Sequence, residues 1–286
     1  MKQIQRLSEL RREIAAFRMA GEKIALVPTM GNLHPGHLRL VSEARRLAER
    51  VVVTVFVNPT QFGPGEDYAS YPRTPEADIA ALTQAGADLL FIPEVHEVYP
   101  HGLGSLTWVE VPGLSEELCG AFRPGHFRGV ATVVLKLFNM VTADIAIFGE
   151  KDYQQLTIIR RMVADLNLPL TIHGVPTVRE SDGLAMSSRN AYLNATERKS
   201  AAFLYATLKS SVKALMSGNR LIMEIEASAS SALEAQGFKV DYVAVRRSSD
   251  LAPPHPEDDA SALIILVAAR LGKTRLIDNL RLSGEI

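Results

Sequence analysis

A single cysteine, Cys119, stands among 286 residues. It excludes an internal disulfide framework and makes a reducing cytosol the simplest expected compartment. Long apolar runs are missing as well. The longest, Val51–Val57 and the stretch around Leu263–Ala269, fall far short of the roughly 18–20 residues that a membrane span requires. The opening MKQIQRLSELRREIAAF mixes charge into its apolar positions, which is the pattern of an amphipathic helix and not of a secretion signal. Neither sign of charge dominates: 31 Lys and Arg face 32 Asp and Glu, with a pI near 6.7. Nucleic-acid binders carry a basic excess or stripe. Here the pairs Arg11-Arg12, Arg45-Arg46, Arg160-Arg161 and Arg246-Arg247 lie inside helical or strand patterns and read as solvated faces. There is no internal repeat and no low-complexity tract. No G-x-G-x-x-G follows the first clear apolar run, Ile24–Thr29, which argues against a nicotinamide dehydrogenase. A small-molecule partner is what remains.

What is there is a core and a rhythm. Apolar residues make up 47% of the chain, an ordinary globular share. Short runs at Ile24–Thr29, Val51–Val57, Asp88–Ile92, Asp144–Phe148 and Leu170–Val175 are apolar on both faces, as strands sandwiched between helices must be. Helix-period stretches lie between them at Gly36–Arg50, Thr74–Ala85, Gly129–Val141 and Tyr153–Leu166, the last stopped by Asn167-Leu168-Pro169. This alternation predicts an α/β fold: a Rossmann-like parallel sheet with flanking helices over residues 1–176, its ligands beyond the carboxyl ends of the strands. After residue 177 the pattern turns to helices at Ala195–Ser217 and Leu221–Gln236. A strand pair, Lys239–Val245 and Ser261–Ala269, follows around the loop Ala252–Asp259. That predicts a smaller α+β domain over 177–286.

The strongest local signal is Pro28-Thr29-Met30-Gly31-Asn32-Leu33-His34-Pro35-Gly36-His37, which leaves a strand and opens a helix. A helix start offers unpaired N–H groups and the positive end of the dipole, a natural seat for phosphate. His34 and His37, three residues apart, can share one face. There they donate hydrogen bonds to phosphate oxygens, or as imidazolium neutralise a leaving pyrophosphate. Met186-Ser187-Ser188-Arg189 combines two hydroxyls with a guanidinium, a clamp for phosphate or, read alone, a polar turn. Gly149-Glu150-Lys151-Asp152 leaves the strand Asp144–Phe148 at the same sheet edge, with Gln155 one turn on. Lys151 can neutralise phosphate, and Asp152 suits ribose hydroxyls or, with Gln155, a capping box. Asn58-Pro59-Thr60-Gln61-Phe62-Gly63 supplies amides that can hold a polar substrate, or makes an ordinary turn.

The H-x-G-H arrangement resembles the signature of the nucleotidyltransferase superfamily, with M-S-S-R in the place of its second loop. PTMGNLHPGH, FVNPTQFG, YPRT (Tyr71–Thr74), RPGHFRGV (Arg123–Val130), FGEKDYQQL (Phe148–Leu156), DGLAMSSRNAYL (Asp182–Leu193) and AARLGKTRLIDN (Ala268–Asn279) together resemble the pantothenate synthetase (pantoate–β-alanine ligase) family over almost the whole chain. The resemblance implies that ATP, accompanied by Mg²⁺, activates pantoate as pantoyl-adenylate with release of pyrophosphate. β-Alanine then displaces AMP to give pantothenate. It also implies a smaller C-terminal lid and a homodimer. The balanced charge, short apolar runs and single cysteine already predict a cytoplasmic protein that engages neither nucleic acid nor membrane, and no metal ligand is assigned among its side chains. By motif position, Met30, Gly31, Asn32, Leu33, His34, Pro35, Gly36 and His37 line the ATP phosphates. Gly149, Glu150, Lys151 and Asp152 bind ribose and phosphate, with Lys151 on the phosphates; Val178 contacts adenine through its backbone; and Met186, Ser187, Ser188 and Arg189 close over the triphosphate. His37, His34, Lys151 and Arg189 carry the chemistry. Gln61 and Gln155 hold pantoate; Gln61, Asn58 and Tyr71 border β-alanine. Arg123, His126 and Arg128 fall in a segment that is mobile in the family. Where the family pattern has an acidic residue, this chain has Cys119, a departure that bears on subunit contacts or loop order and not on the chemistry. Two rivals remain on the same fold: another adenylyltransferase, and a silent nucleotide-binding protein.

Overall fold

The computed structural model describes residues 1–217 and 221–282. Residues 218–220 and 283–286, part of the expected C-terminal domain, lie outside the described residues. The chain packs as two compact units, one of Met1–Glu150 with Ile158–Pro176, the other of Lys151–Thr157 with Thr177–Ile286.

In the first unit the strands are β1 (Lys2–Ile4), β2 (Ile24–Thr29), β3 (Arg50–Val55), β4 (Leu89–Phe91), β5 (Ile145–Gly149) and β6 (Thr171–Val175). They form one sheet in the order β1-β4-β3-β2-β5-β6, every pairing parallel. Its helices are α1 (Leu7–Met19), α2 (Pro35–Leu47), α3 (Pro75–Ala85), the single turns α4 (Val95–Val98) and α5 (Cys119–Phe122), and α6 (His126–Val141). The α7 helix (Tyr153–Asp165) runs from one unit into the other. Ala25, Val27, Val51, Val53, Leu90, Ile145 and Ile147 point to one face, where Leu40, Val41 and Ala44 of α2 and Leu82 of α3 cover them. The alternate residues Ile24, Leu26, Val52, Leu89, Phe91 and Ala146 are buried on the other face. Burial on both faces is why these strands read as continuous apolar runs.

The β1 strand is absent from the sequence reading. Only Ile4 of its three residues is buried, too little for a period to show. The chain leaves β2 towards β3 and β4 on one side, while β5 and β6 lie on the other. The reversal therefore falls between β2 and β5, and ligands of open parallel sheets bind at the carboxyl ends of such a pair.

The second unit carries α8 (Ala195–Ala201), α9 (Phe203–Met216), α10 (Ile222–Glu234) and the strands β7 (Lys239–Arg247), β8 (Leu263–Leu271) and β9 (Thr274–Arg281). The strands form an antiparallel sheet in the order β7-β8-β9. Leu204, Leu208, Val212, Ile225 and Leu233 of the helices meet Val245, Ile265, Val267, Ala269 and Leu276 of the sheet in one core. The expected strand pair is thus three strands, and the expected helix Ala195–Ser217 breaks at Ala202 into two. Asn194 caps the first of these, accepting from Thr196 N and Glu197 N while Glu197 returns a bond to Asn194 N.

Candidate active site

The segment Met30–His37 leaves β2 at the switch point. Its shape is set by a residue from elsewhere. Asp78 of α3, only 3% exposed, accepts from Asn32 N at 2.9 Å, Leu33 N at 2.8 Å and Thr74 Oγ1 at 3.1 Å. Gly31 sits at φ +81°, and a side chain there would press on Asp78 Oδ2 and Val55. The amides of Asn32 and Leu33 are therefore committed to Asp78. Sequence reasoning missed Asp78 because it lies 46 residues from its partner Asn32, in an ordinary helix start.

His34 and His37 close a reciprocal cap. Gly36 N donates to His34 Nδ1 at 3.1 Å, and His34 N donates to His37 Nδ1 at 3.3 Å. The two rings stand 4.1 Å apart. A nitrogen that accepts cannot carry the proton, so the neutral ring holds its hydrogen on Nε2. Of the two roles the sequence allows, donation from a neutral ring is the one this cap favours. Two Nε2–H donors at a helix N-terminus make an anion seat.

Beside β2, β3 delivers the turn Pro59–Gln61. Asn58 is 1% exposed and its amide is wholly occupied in holding that turn. Its Oδ1 accepts from Tyr99 Oη at 2.8 Å and Thr60 Oγ1 at 3.0 Å; its Nδ2 donates to Gln61 Oε1 at 3.1 Å and Gly129 O at 3.2 Å. Gln61 Nε2 reaches Met30 Sδ at 3.1 Å, so two of the predicted residues touch. Tyr71 is buried with its ring edge-on to Phe62. From α6, Gly129 packs so closely on the turn that a Cβ would collide with Thr60 O.

Arg123 and His126 also converge here. Glu66 Oε2 and Oε1 accept from Arg123 Nη2 and Nε at 2.6 and 2.7 Å, Arg123 Nη1 lies 2.9 Å from His126 Nε2, and His126 Nδ1 lies 2.7 Å from Gln61 O. Burial pushes the Glu66 carboxyl up, but the Arg123 bonds and charge outweigh it and hold it below its ordinary value. Arg128 stacks over Trp108, 4.5 Å from the ring centroid. Cys119 is buried, so the place expected to hold an acid is apolar here.

Gly149 and Glu150 end β5 in the first unit, next to β2. Lys151, Asp152 and Gln155 belong to the second unit. Glu150–Asp152 form a 3-10 turn that runs into α7, and Lys151 Nζ stands 3.7 Å from Asp152 Oδ2. Gln155 is half-buried on the first turn of α7. In the same unit Val178 and Met186 close a hairpin, Met186 N donating to Val178 O at 3.0 Å. Ser187 then caps the turn Ser188–Tyr192, its Oγ accepting from Arg189 N at 3.3 Å. Among the described residues no group of three or more His, Cys, Asp and Glu could hold a metal ion.

A family model described as Pantoate-beta-alanine ligase matches residues 2–281. The chain is 58% identical over 283 residues to the pantothenate synthetase of Methylococcus capsulatus, an alignment covering 99% of this chain and 98% of that one. The crystal structure of pantothenate synthetase from Thermus thermophilus superposes with a TM-score of 0.91 at 48% identity, over 99% of each chain. That of pantoate-beta-alanine ligase from Francisella tularensis, complexed with beta-gamma ATP and beta-alanine, superposes at 0.84 and 31% identity, over 100% of this chain and 99% of that one. With the switch-point histidines and the adjoining amide pocket in place, this chain belongs to the pantoate-beta-alanine ligase family.

Proposed function

We propose that the protein uses ATP to condense pantoate with β-alanine, through pantoyl-adenylate. A pantoate carboxylate oxygen bonds to the α-phosphorus of ATP as the bond from that phosphorus to the bridging oxygen breaks, and pyrophosphate leaves. The unprotonated β-alanine amine then bonds to the acyl carbon, the carbon–oxygen bond to AMP breaks, and the nitrogen sheds a proton. The reciprocal cap of His34 and His37 at the switch point carries this reading, because with both Nδ1 atoms accepting it makes Nε2 the N–H donor of each neutral ring at a helix start. Charge growing on a departing pyrophosphate is what such donors stabilise. The Francisella relative's complex with a nucleotide and β-alanine supports the substrates.

A carboxylate attacking a shielded phosphorus needs alignment more than activation. Gln61 and Gln155 hold pantoate, Gln61 with Tyr71 borders β-alanine, and Asn58 acts by fixing Gln61. Lys151, Ser187, Ser188 and Arg189 neutralise the triphosphate; Gly149, Glu150, Asp152 and Val178 take the ribose and adenine; Mg²⁺ arrives with ATP. The protein acts in the cytoplasm as a homodimer, and no helix among the described residues is long and apolar enough to cross a membrane.

The deciding experiment incubates the protein with ATP, Mg²⁺ and pantoate, with and without β-alanine, and follows pyrophosphate and AMP separately. Pantoate-dependent pyrophosphate with amine-dependent AMP release is the expected result. Pyrophosphate without amine-dependent AMP release would remove β-alanine as acceptor, and no pyrophosphate would remove pantoate as substrate.

A further inference from the structure

The stretch Ala268–Asn279 resembles the family without containing any group that the proposed reaction uses. Its last two residues, Asp278 and Asn279 on β9, are polar and only 2% and 6% exposed. Groups so buried persist only when bonded, and their bonds lead to the two phosphate-side segments of the second unit. Asp278 takes Arg179 in a fork, Oδ2 from Nη1 at 2.6 Å and Oδ1 from Nη2 at 3.0 Å. The same guanidinium donates to Gly183 O at 3.1 Å and Asn279 O at 3.2 Å, and stacks 3.8 Å over Tyr205.

Arg179 bridges Ala185 across the hairpin that leads into Met186–Arg189. Asp278 therefore holds the stem of the triphosphate clamp, and β9 lies against the turn that begins at Ser188. Burial pushes the Asp278 carboxyl up, while Arg179 and, more weakly, Lys151 pull against it. The adjacent Asn279 reaches the other segment: its Nδ2 donates to Lys151 O at 2.9 Å. Asn279 N in turn donates to Asp278 Oδ1 at 2.7 Å, tying the two anchors together.

We propose that Asp278 and Asn279 are positioning residues that hold Lys151 and the Met186–Arg189 clamp as one rigid set of phosphate ligands. The inference rests on the proposed role of Lys151 at the triphosphate. Cations that must meet one charged group at fixed spacing gain from being locked before it arrives. Asn279 is the anchor through which Lys151 can be tested alone.

Asn279→Ser withdraws the donor without placing a charge beside Asp278, and the nearly isosteric Asn279→Leu serves if the serine variant does not fold. Hydrogen exchange in the full-length protein reads the anchoring without reference to catalysis. Amides of residues 154–157 should exchange about tenfold faster, with those of α9 unchanged; no change, or an equal rise in both, overturns the proposal. In pantoate-dependent pyrophosphate release, the variant should lose about tenfold in kcat with pantoate KM within about twofold. On a Lys151→Ala background it should cost less than about twofold more, because residues acting through one another are not additive. Losses that multiply overturn the proposal, as does a Lys151→Ala enzyme of undiminished rate. If the wild type releases no pyrophosphate the reaction assignment fails, and the exchange result still decides whether Asn279 anchors Lys151.

Discussion

His37 accepts at Nδ1 from His34 N, and the proposed reaction also uses it as a donor at Nε2. The two tasks can be separated. His37→Asn can keep an acceptor near the Nδ1 position and removes the Nε2 donor. Turnover should fall at least about a hundredfold, roughly 3 kcal/mol of barrier, while the melting temperature stays close to that of the wild type. Asp78 has the opposite character: it holds the loop to which the proposed reaction assigns the phosphates. Asp78→Ala strands two part-buried amides and should cost about 1–3 kcal/mol in urea unfolding; Asp78→Asn, which keeps one acceptor, should cost less. Thr54 supplies a control. Its hydroxyl is fully buried without a hydrogen-bond partner, so Thr54→Val should leave stability unchanged or raise it in the same titration. The histidines were legible in the sequence because a cap is made within four residues. Asp78 was not, because Asn32 and Leu33 lie 46 and 45 residues away along the chain.

The turn Pro59–Gln61 shows the same division between elements. Its cap Asn58, Tyr99, Arg123, and His126 and Gly129 of α6 all converge on it. Gly129 meets backbone and not a flexible side chain, so Gly129→Ala has no cheap escape. The helix or the turn must move, at about 1–3 kcal/mol of overpacking. A lowered melting temperature together with a raised pantoate KM is expected; a normal KM would detach the turn from the pantoate pocket. The sequence marked Asn58–Gly63 as amides at a strand end, and Arg123–Val130 only through resemblance. Nothing local reveals that the second segment clasps the first. The β9 strand was hidden differently: Thr274–Arg281 alternates only partly and carries the buried Asp278 and Asn279, so its pattern does not read as half-apolar.

Across the whole molecule, acid should be the weak side. In Glu66 and Asp144 burial pushes the carboxyl up, but Arg123 and Arg18 outweigh it, so both titrate below their ordinary values of 4.5 and 3.8. A carboxyl depressed by folding contributes stability above its unfolded pKa and loses it as pH falls through the folded one. Thermal melts should therefore be flat from neutral pH down to about 5 and drop steeply below about 4. Glu66→Gln should be less stable than the wild type at neutral pH, and the gap should close in acid. Light scattering should give twice the 31.3 kDa chain mass if the proposed homodimer holds. The layered parallel sheet, the positions of its main strands and helices, and the residues with chemistry to offer all follow from the amino-acid order alone. Each of these rests on spacings of two to four residues, which the chain displays directly. Folding settles the rest: which amides Asp78 occupies, which histidine nitrogens accept, that Asn58 is spent on Gln61, and that Asn279 donates to Lys151 O. Most of those contacts join residues that are far apart along the chain, and all of them exist only once packing has brought the segments together.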